Sequence, residues 1–192
     1  MQRVGPYELL EPIASGGQAT VWRGRHVDTG DLAAVKIVRQ ANADVQAEIR
    51  ALATIDHPCV VAIHDMGVVE RSGEAAPAGS AWLSMELADG SLSRRQLRWR
   101  ELAAATIDVL EALGHVHARG VVHRDLKPDN ILLFHSDEDR RYKLGDFGLA
   151  TKTDPSQDDR KHTLGGTPRY MAPEQIRGHR WAYGPWTDLY AL

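Results

Sequence analysis

The chain has 192 residues, of which 43% are hydrophobic and 26% are charged. This length allows one domain or two compact lobes, and the composition excludes a disordered or collagen-like chain. A net charge of −3 argues against a general nucleic-acid binder, which is normally basic. The sequence contains neither a run of about 20 apolar residues for a membrane span nor the apolar core of a signal peptide. The single cysteine, Cys59, excludes an internal disulfide and favours the reducing cytoplasm.

The first half of the chain is rich in predicted strands. Five apolar-rich segments bounded by turn-prone residues predict strands at 7–14, 19–26, 32–38, 60–69 and 81–85. The first three follow one another as an antiparallel meander. Apolar residues at helical spacing predict a helix near 43–55, with Asn42 or Asp44 as its N-cap.

The second half opens with a long predicted helix. Apolar residues at spacings of three and four predict a helix over 97–118, and Gly120 follows as its C-cap. Short strands and loops continue to about residue 170. The break between the two halves falls near 87–90, so the sequence predicts an α+β architecture in two lobes with a cleft.

Polar residues suited to phosphate chemistry stand in four short runs. Residues 123–130 read His-Arg-Asp-Leu-Lys-Pro-Asp-Asn, and Asp-Phe-Gly at 146–148 begins sixteen residues after Asn130. Ala-Pro-Glu follows at 172–174, and Ala-Ala-Val-Lys lies upstream at 33–36. Phosphoryl transfer needs a polyanion held still, its charge neutralised and an acceptor hydroxyl aimed in line. Carboxylate and amide oxygens suit Mg²⁺, and a lysine suits phosphate.

With these motifs in this order, the chain resembles the eukaryotic-type Ser/Thr protein kinase family from about residue 7 to residue 192. The resemblance implies an α+β, two-lobed protein-kinase-like fold. Its antiparallel-sheet small lobe, with the hinge, would cover 1–88, and an incomplete helical large lobe would cover 89–192. It also implies ATP and Mg²⁺ as cofactors, and proteins with Ser/Thr acceptors as substrates.

The resemblance assigns a role to each charged residue of the motifs. Asp125 would orient the substrate hydroxyl or accept its proton, and Lys127 would reach the transferring phosphoryl group. Lys36 would bind the α- and β-phosphates, and Glu48, on the helix that follows, would hold that lysine. Two residues would bind the metal ion: Asn130 and Asp146.

The nucleotide pocket is assigned in the same way, to Ile13, Ala14, Ser15, Gly16, Gly17, Val21, Ala34, Lys36, Met85, Glu86, Ala88 and Leu132. The glycine-rich loop departs from the family form G-x-G-x-x-G-x-V, because Ala14 and Ala19 stand where that form has its first and third glycines. Since glycine lets the backbone approach phosphate closely, we expect weakened but surviving nucleotide binding. Such loops resemble those of some bacterial members of the family.

Substrate class and regulation follow from four residues. Lys127 and the Gly-Thr-Pro at 166–168 are typical of Ser/Thr rather than Tyr kinases, and Thr167 is expected to hydrogen-bond near Asp125 and Lys127. Arg124 beside Asp125 suggests control by a phosphate in the activation loop, with Thr163 as the acceptor.

Several other residues are interpreted as structural. His123 is expected to be a core residue under Phe147, and Asp188 to hold the catalytic loop from a buried helix. The histidines do not predict a metal site, because His115 and His117 are two apart on a helix and point away from each other. Cys59 is interpreted as a small apolar filler.

The sequence stops about one turn into the helix that carries Asp188, so we expect a fragment with weak or absent activity. Glu174 would then lack its partner from a later helix. Two alternatives remain at this point: a nucleotide-binding pseudokinase or scaffold, and a small-molecule phosphotransferase of the aminoglycoside-kinase type. The motifs at 123–130, 146–148 and 172–174 favour a protein substrate over a small molecule.

Overall fold

The computed structural model describes residues 2–16, 19–39, 50, 52–73, 75–135, 140–147, 151–152 and 167–192; at 151, 152 and 180 it describes the backbone alone. The chain forms two compact units. The first comprises residues 1–56 and 62–88, and the second comprises 57–61 and 89–192. None of the helices in the described part of the chain combines the length and the apolar composition that a membrane span requires.

The first unit is built on one antiparallel sheet of six strands in the order β1-β2-β3-β4-β6-β5. The strands are β1 (Arg3–Val4), β2 (Tyr7–Ser15), β3 (Ala19–His26), β4 (Leu32–Val38), β5 (Ile63–Val68) and β6 (Ala81–Met85). The predicted meander is confirmed as β2, β3 and β4, and the predicted strand at 81–85 is β6. The strand predicted over 60–69 is shorter at both ends. Of the helix predicted near 43–55, residues 43–49 and 51 lie outside the described residues.

One face of this sheet carries the core of the first unit. Val35 and Ile37 of β4 are at most 1% exposed, and they cluster with Tyr7 and Trp82. Because side chains alternate along a strand, Ala34 and Lys36 of β4 belong to the opposite face. The core thus fixes which face of the sheet presents Lys36.

The second unit is led by the helix α1 (Trp99–His117). Its other elements are β7 (Gly90–Ser91), β8 (Val121–Val122), β9 (Ile131–His135), β10 (Arg140–Leu144), β11 (Thr151–Lys152), α2 (Pro173–Ile176), α3 (Pro185–Ala191) and 3₁₀ turns at Leu92–Arg94, Pro128–Asn130, Pro168–Tyr170 and Arg180–Ala182. Strands β10, β9 and β7 form one antiparallel sheet, and β11 pairs with β8.

Helix α1 confirms the predicted long helix with slightly narrower bounds. Val109, Leu113 and Val116 are at most 1% exposed and form its buried face. Leu102 is 45% exposed, so the apolar spacing in the sequence extends one turn beyond the face that the protein buries. Gly120 has φ of 72° and donates its N–H to the carbonyl of His117 at 2.9 Å, which confirms the predicted stop.

A buried carboxylate joins α3 to the segment that follows β8. Asp188 of α3 is 1% exposed and accepts the backbone N–H groups of His123 and Arg124, each at 2.8 Å. The Nε2 atom of His117 lies 2.8 Å from the same carboxylate. The expected contact between Asp188 and the 123–130 loop is confirmed, and this side chain ties α1, α3 and the loop together.

Cys59 is buried in the core at 1% exposure, as expected of a small filler, but its surroundings are partly polar. Its thiol donates to the carboxylates of Glu111 at 3.6 Å and Asp108 at 3.8 Å, both on α1. Burial, together with these two negative charges, raises the pKa of the Cys59 thiol from 9.0 to about 11. The thiol therefore stays protonated to a higher pH than an ordinary cysteine does.

Removal of the Asp188 carboxylate is predicted to lower the stability of the protein substantially. In Asp188→Ala, two backbone N–H groups lose their acceptor, and each unsatisfied buried group costs about 1–3 kcal/mol. The free energy of unfolding, measured by urea titration, should fall by about 2–6 kcal/mol. Asp129→Ala removes an exposed carboxylate from the same loop and should change it by less than about 0.5 kcal/mol. Equal stability of Asp188→Ala and the wild type would contradict this account of the loop.

The Cys59 thiol predicts a pH dependence. In the unfolded chain the thiol ionises near its ordinary pKa, whereas in the folded chain it stays protonated to about pH 11. The free energy of unfolding should therefore fall, relative to that of Cys59→Ala, as the pH rises from about 9 to about 11. Alkylation by iodoacetamide at pH 9 should also be much slower in the folded protein than in urea. Equal alkylation rates in the two states would show that the thiol is not protected.

Candidate active site

Four of the nucleotide residues assigned to the sheet share the face opposite its core. Val21 of β3 pairs with Lys36 of β4, and Met85 of β6 pairs with Ala34 of β4. Residues directly opposite each other in an antiparallel pair point to the same face, and Ala34 and Lys36 are two apart on one strand. The sheet therefore brings Val21, Ala34, Lys36 and Met85 onto one surface. Ala34 and Met85 are buried there, and Lys36 is half-buried.

Of the glycine-rich stretch, the structure describes Gly16 directly after β2 and Ala19 at the start of β3. Gly16 donates its N–H to the carbonyl of Ala19 at 2.9 Å, and Ala14 pairs with Val21. Ile13 and Ser15 are exposed. A Cβ added at Gly16 would meet Ala19 at 3.7 Å, an ordinary van der Waals contact, so the packing of the hairpin does not itself demand glycine there. Gly17 lies outside the described residues.

The predicted hinge begins with a locally fixed glutamate. Glu86 donates its N–H to the carbonyl of Ala62 at 3.2 Å, and its side chain accepts the N–H of Ala62 at 2.7 Å. Ala88 is half-buried two residues further on. Glu48, the predicted partner of Lys36, lies outside the described residues, so that pair stays a prediction.

In the second unit, Asp125, Lys127 and Thr167 each contact the other two and so form a closed set of contacts. Lys127 Nζ donates to Asp125 Oδ2 at 2.6 Å and to Thr167 Oγ1 at 2.9 Å, and the Thr167 hydroxyl donates to Asp125 Oδ1 at 2.9 Å. The side chains of Asp125 and Lys127 are 13% and 21% exposed, so the pair is shielded yet reachable. The expected contacts of Thr167 are present.

Asn130 completes the surroundings of Asp125 from the 3₁₀ turn that follows. Its Nδ2 donates to the backbone carbonyl of Asp125 at 2.8 Å and to Oδ2 at 3.3 Å, and the residue is 4% exposed. Both contacts use the amide nitrogen, which leaves Oδ1 as the acceptor end of the side chain. Amide and carboxylate oxygens are the donors that Mg²⁺ prefers, so Asn130 and Asp146 are residues that could hold the ion.

The backbone before Asp146 is tied to the Asp125 loop. Gly145 donates its N–H to the carbonyl of Asn130 at 2.9 Å, and its own carbonyl lies 2.9 Å from Nε2 of His123. A Cβ at Gly145 would meet Leu132 at 3.1 Å, a contact too close to form without movement. Leu132, assigned to the nucleotide pocket, is half-buried on β9 at this point. His123 is fully buried, with its ring 4.7 Å from that of Phe147, which confirms its predicted place in the core.

Two residues of the motifs hold left-handed backbone conformations. Arg124 has φ of 66° and Asp146 has φ of 56°, although neither is a glycine. Such conformations are unfavourable for residues with a side chain, and they persist where the surroundings over-determine them. Around Arg124, the Asp188 carboxylate holds the amide and the Tyr183 ring lies 5.2 Å from the guanidinium. Thr163, the predicted phosphate acceptor, lies outside the described residues.

Sequence reasoning missed two partners of the 123–130 loop. Gln175 of α2 is 3% exposed, and its Nε2 donates to the backbone carbonyl of Arg124 at 2.7 Å. Tyr183 packs on the Arg124 side chain. The carboxylate of Glu174 accepts the Thr187 hydroxyl at 2.7 Å, a contact that the sequence did not predict.

Comparison with known proteins agrees with the motifs. A family model described as "Protein kinase domain" matches residues 7–192. The serine/threonine-protein kinase Pkn1 of Myxococcus xanthus is 37% identical over 204 residues, which cover 99% of this chain and 28% of that protein. CBL-interacting protein kinase 4 of rice (Oryza sativa subsp. japonica) is 36% identical and is matched by 91% of this chain over 40% of its own length.

The serine/threonine-protein kinase PknA of Mycobacterium tuberculosis is 34% identical over 98% of this chain and 45% of its own length. The chain therefore spans less than half of each of these three relatives. The family match covers almost the whole chain and includes Asp125, Lys127 and Thr167. The chain belongs to the protein kinase domain family.

Proposed function

We propose that this chain is a weak ATP-dependent Ser/Thr protein kinase, which transfers the γ-phosphate of ATP to Ser and Thr hydroxyls of proteins in a reaction that requires Mg²⁺. The single observation that carries the proposal is the closed set of contacts among Asp125, Lys127 and Thr167. The carboxylate of such a set can orient an acceptor alcohol, and the lysine beside it can supply positive charge to a phosphoryl group. The names of the relatives, which are serine/threonine-protein kinases of bacteria and a plant protein kinase, support the choice of substrate class.

In this proposal, Asp125 acts on the acceptor. Its Oδ1 accepts the Thr167 hydroxyl at 2.9 Å, which shows that the carboxylate can bind an alcohol in this position. An incoming Ser or Thr hydroxyl would be oriented by the same carboxylate, which takes up its proton as the hydroxyl oxygen bonds to the γ-phosphorus. The bond from that phosphorus to the β–γ bridging oxygen breaks, and ADP leaves with the bonding electrons. Lys127, already charge-paired with Asp125, supplies a positive charge to the phosphoryl group.

Lys36 and the metal residues act on the nucleotide. Lys36, presented on the sheet face beside Val21 and Ala34, is proposed to bind the α- and β-phosphates, with Glu48 as its partner. Asn130 and Asp146 are proposed to hold Mg²⁺, which, when bound, neutralises charge on the phosphates. The exposed turn at Gly16 is proposed to let the backbone approach those phosphates.

The remaining assignments complete the proposal. Thr163 is proposed as the regulatory phosphate acceptor and Arg124 as the residue that receives it, and phosphate at Thr163 after incubation with MgATP would support this. The single cysteine and the need for ATP favour the cytoplasm as the compartment. A pseudokinase that binds nucleotide without transfer is the competing function, and nothing in a purely nucleotide-binding role requires the Lys127–Thr167 contacts.

The proposal predicts a separation of binding from transfer. Asp125→Asn should lower phosphate transfer to a Ser/Thr-containing protein substrate by about 100- to 10,000-fold, because a positioned base contributes that much. The stabilisation by MgATP in a thermal-shift assay should be unchanged in this variant. Asp146→Asn and Lys36→Met should instead reduce that stabilisation, since both residues are assigned to the nucleotide.

Asp129→Asn is the matched control for these variants, because it alters an exposed carboxylate in the same loop. It should leave both transfer and stabilisation at wild-type levels. Equal loss of MgATP binding in Asp125→Asn and Asp146→Asn would refute the division of roles. Stabilisation of the wild type by MgATP with no transfer to any protein substrate would favour the pseudokinase.

A further inference from the structure

Gln175 forms a buried bridge between two segments of the second unit. The residue is 3% exposed, and both ends of its carboxamide are used. Its Oε1 accepts the N–H of Ala172 at 3.0 Å, and its Nε2 donates to the backbone carbonyl of Arg124 at 2.7 Å. Ala172 is fully buried, so the glutamine spans from a fixed point in its own segment to the loop that carries Asp125.

The peptide group that Gln175 contacts is the one that links Arg124 to Asp125. The carbonyl of this peptide is held by Gln175, and its N–H lies 3.3 Å from Nδ1 of the fully buried His123. The preceding amide, that of Arg124, is held by Asp188. The plane of the Arg124–Asp125 peptide is therefore fixed at both of its polar ends.

This peptide plane decides where the Asp125 side chain points. Arg124 holds φ of 66°, a conformation that residues with a side chain rarely adopt, so the loop needs outside contacts to keep it. If the Gln175 contact were lost, rotation of the peptide would swing the Asp125 Cα–Cβ bond away from its present partners. Catalysis by positioning is sensitive to displacements of about 1 Å.

We propose that Gln175 is a positioning residue of the phosphotransfer reaction, which aims Asp125 by fixing the Arg124–Asp125 peptide and couples that loop to the segment 167–176. The inference rests on the proposed function for its kinetic consequence. A glutamine suits the position because it supplies an acceptor and a donor at the two ends of one rigid group. Thr167 belongs to the segment that Gln175 anchors, so one residue sets both sides of the Asp125–Thr167 contact.

The experiment compares Gln175→Glu and Gln175→Leu with the wild-type chain and a control. Gln175→Glu keeps an acceptor for Ala172 but replaces the donor to Arg124 with an oxygen, and Gln175→Leu removes both hydrogen bonds at similar volume. Val109→Ala is the control, because it opens a cavity in the core of α1 without altering a hydrogen bond of the loop. Two quantities are measured: the kcat and ATP KM of phosphate transfer, and hydrogen exchange of the backbone amides in residues 121–130.

We expect both Gln175 variants to lower kcat by about 10- to 100-fold with an unchanged ATP KM. We also expect exchange in residues 121–130 to accelerate in both variants and not in Val109→Ala, even where the variants have equal melting temperatures. Unchanged kcat, or equal acceleration of exchange in all three variants, would overturn the inference. If the wild type transfers no phosphate, the proposed function fails, and the exchange comparison alone then decides whether Gln175 fixes the loop.

Discussion

The buried carboxylate of Asp188 is the interaction on which the candidate active site depends. It lies 1% exposed on α3 and accepts the amides of His123 and Arg124, which would otherwise be buried without partners. A charged acceptor strengthens both bonds. The two amides precede Asp125 directly, so the carboxylate fixes the start of the loop before any substrate arrives. This anchor is one of the contacts that hold Arg124 in its left-handed conformation.

A chain of hydrogen bonds connects this anchor to the other polar groups of the candidate site in the second unit. Asp125 leaves the fixed loop toward Lys127 and Thr167, and Asn130 closes the loop by donating back to the Asp125 carbonyl. The carbonyl of Asn130 then holds Gly145, the residue before Asp146. Every side chain proposed for transfer or for the metal thus lies within a few hydrogen bonds of Asp188. The buried Asp188 carboxylate thus holds the 123–130 loop in one position, which the proposed phosphate transfer requires.

Much of this could be predicted from local patterns in the sequence. The β2–β4 meander and α1 follow from apolar periodicity and from turn residues such as Gly120, and the roles proposed for Asp125 and Lys127 follow from a motif read in order. Contacts that join distant segments could not be predicted in this way. Gln175 meets Arg124 across 51 positions of sequence, and nothing in the residues around it signals that contact. The two α1 carboxylates that lie beside the Cys59 thiol could likewise not be predicted, because they are about 50 positions away in the sequence.

The central claim is that the Asp188 carboxylate bonds directly to the amides that precede Asp125. Scalar coupling across a hydrogen bond, observed by NMR between an amide nitrogen and a carboxyl carbon, reports that bond without reference to activity or stability. We predict coupling from the backbone nitrogens of both His123 and Arg124 to the side-chain carboxyl carbon of Asp188 in the wild-type protein. Its absence for both amides, with coupling to a backbone carbonyl carbon in its place, would contradict the account.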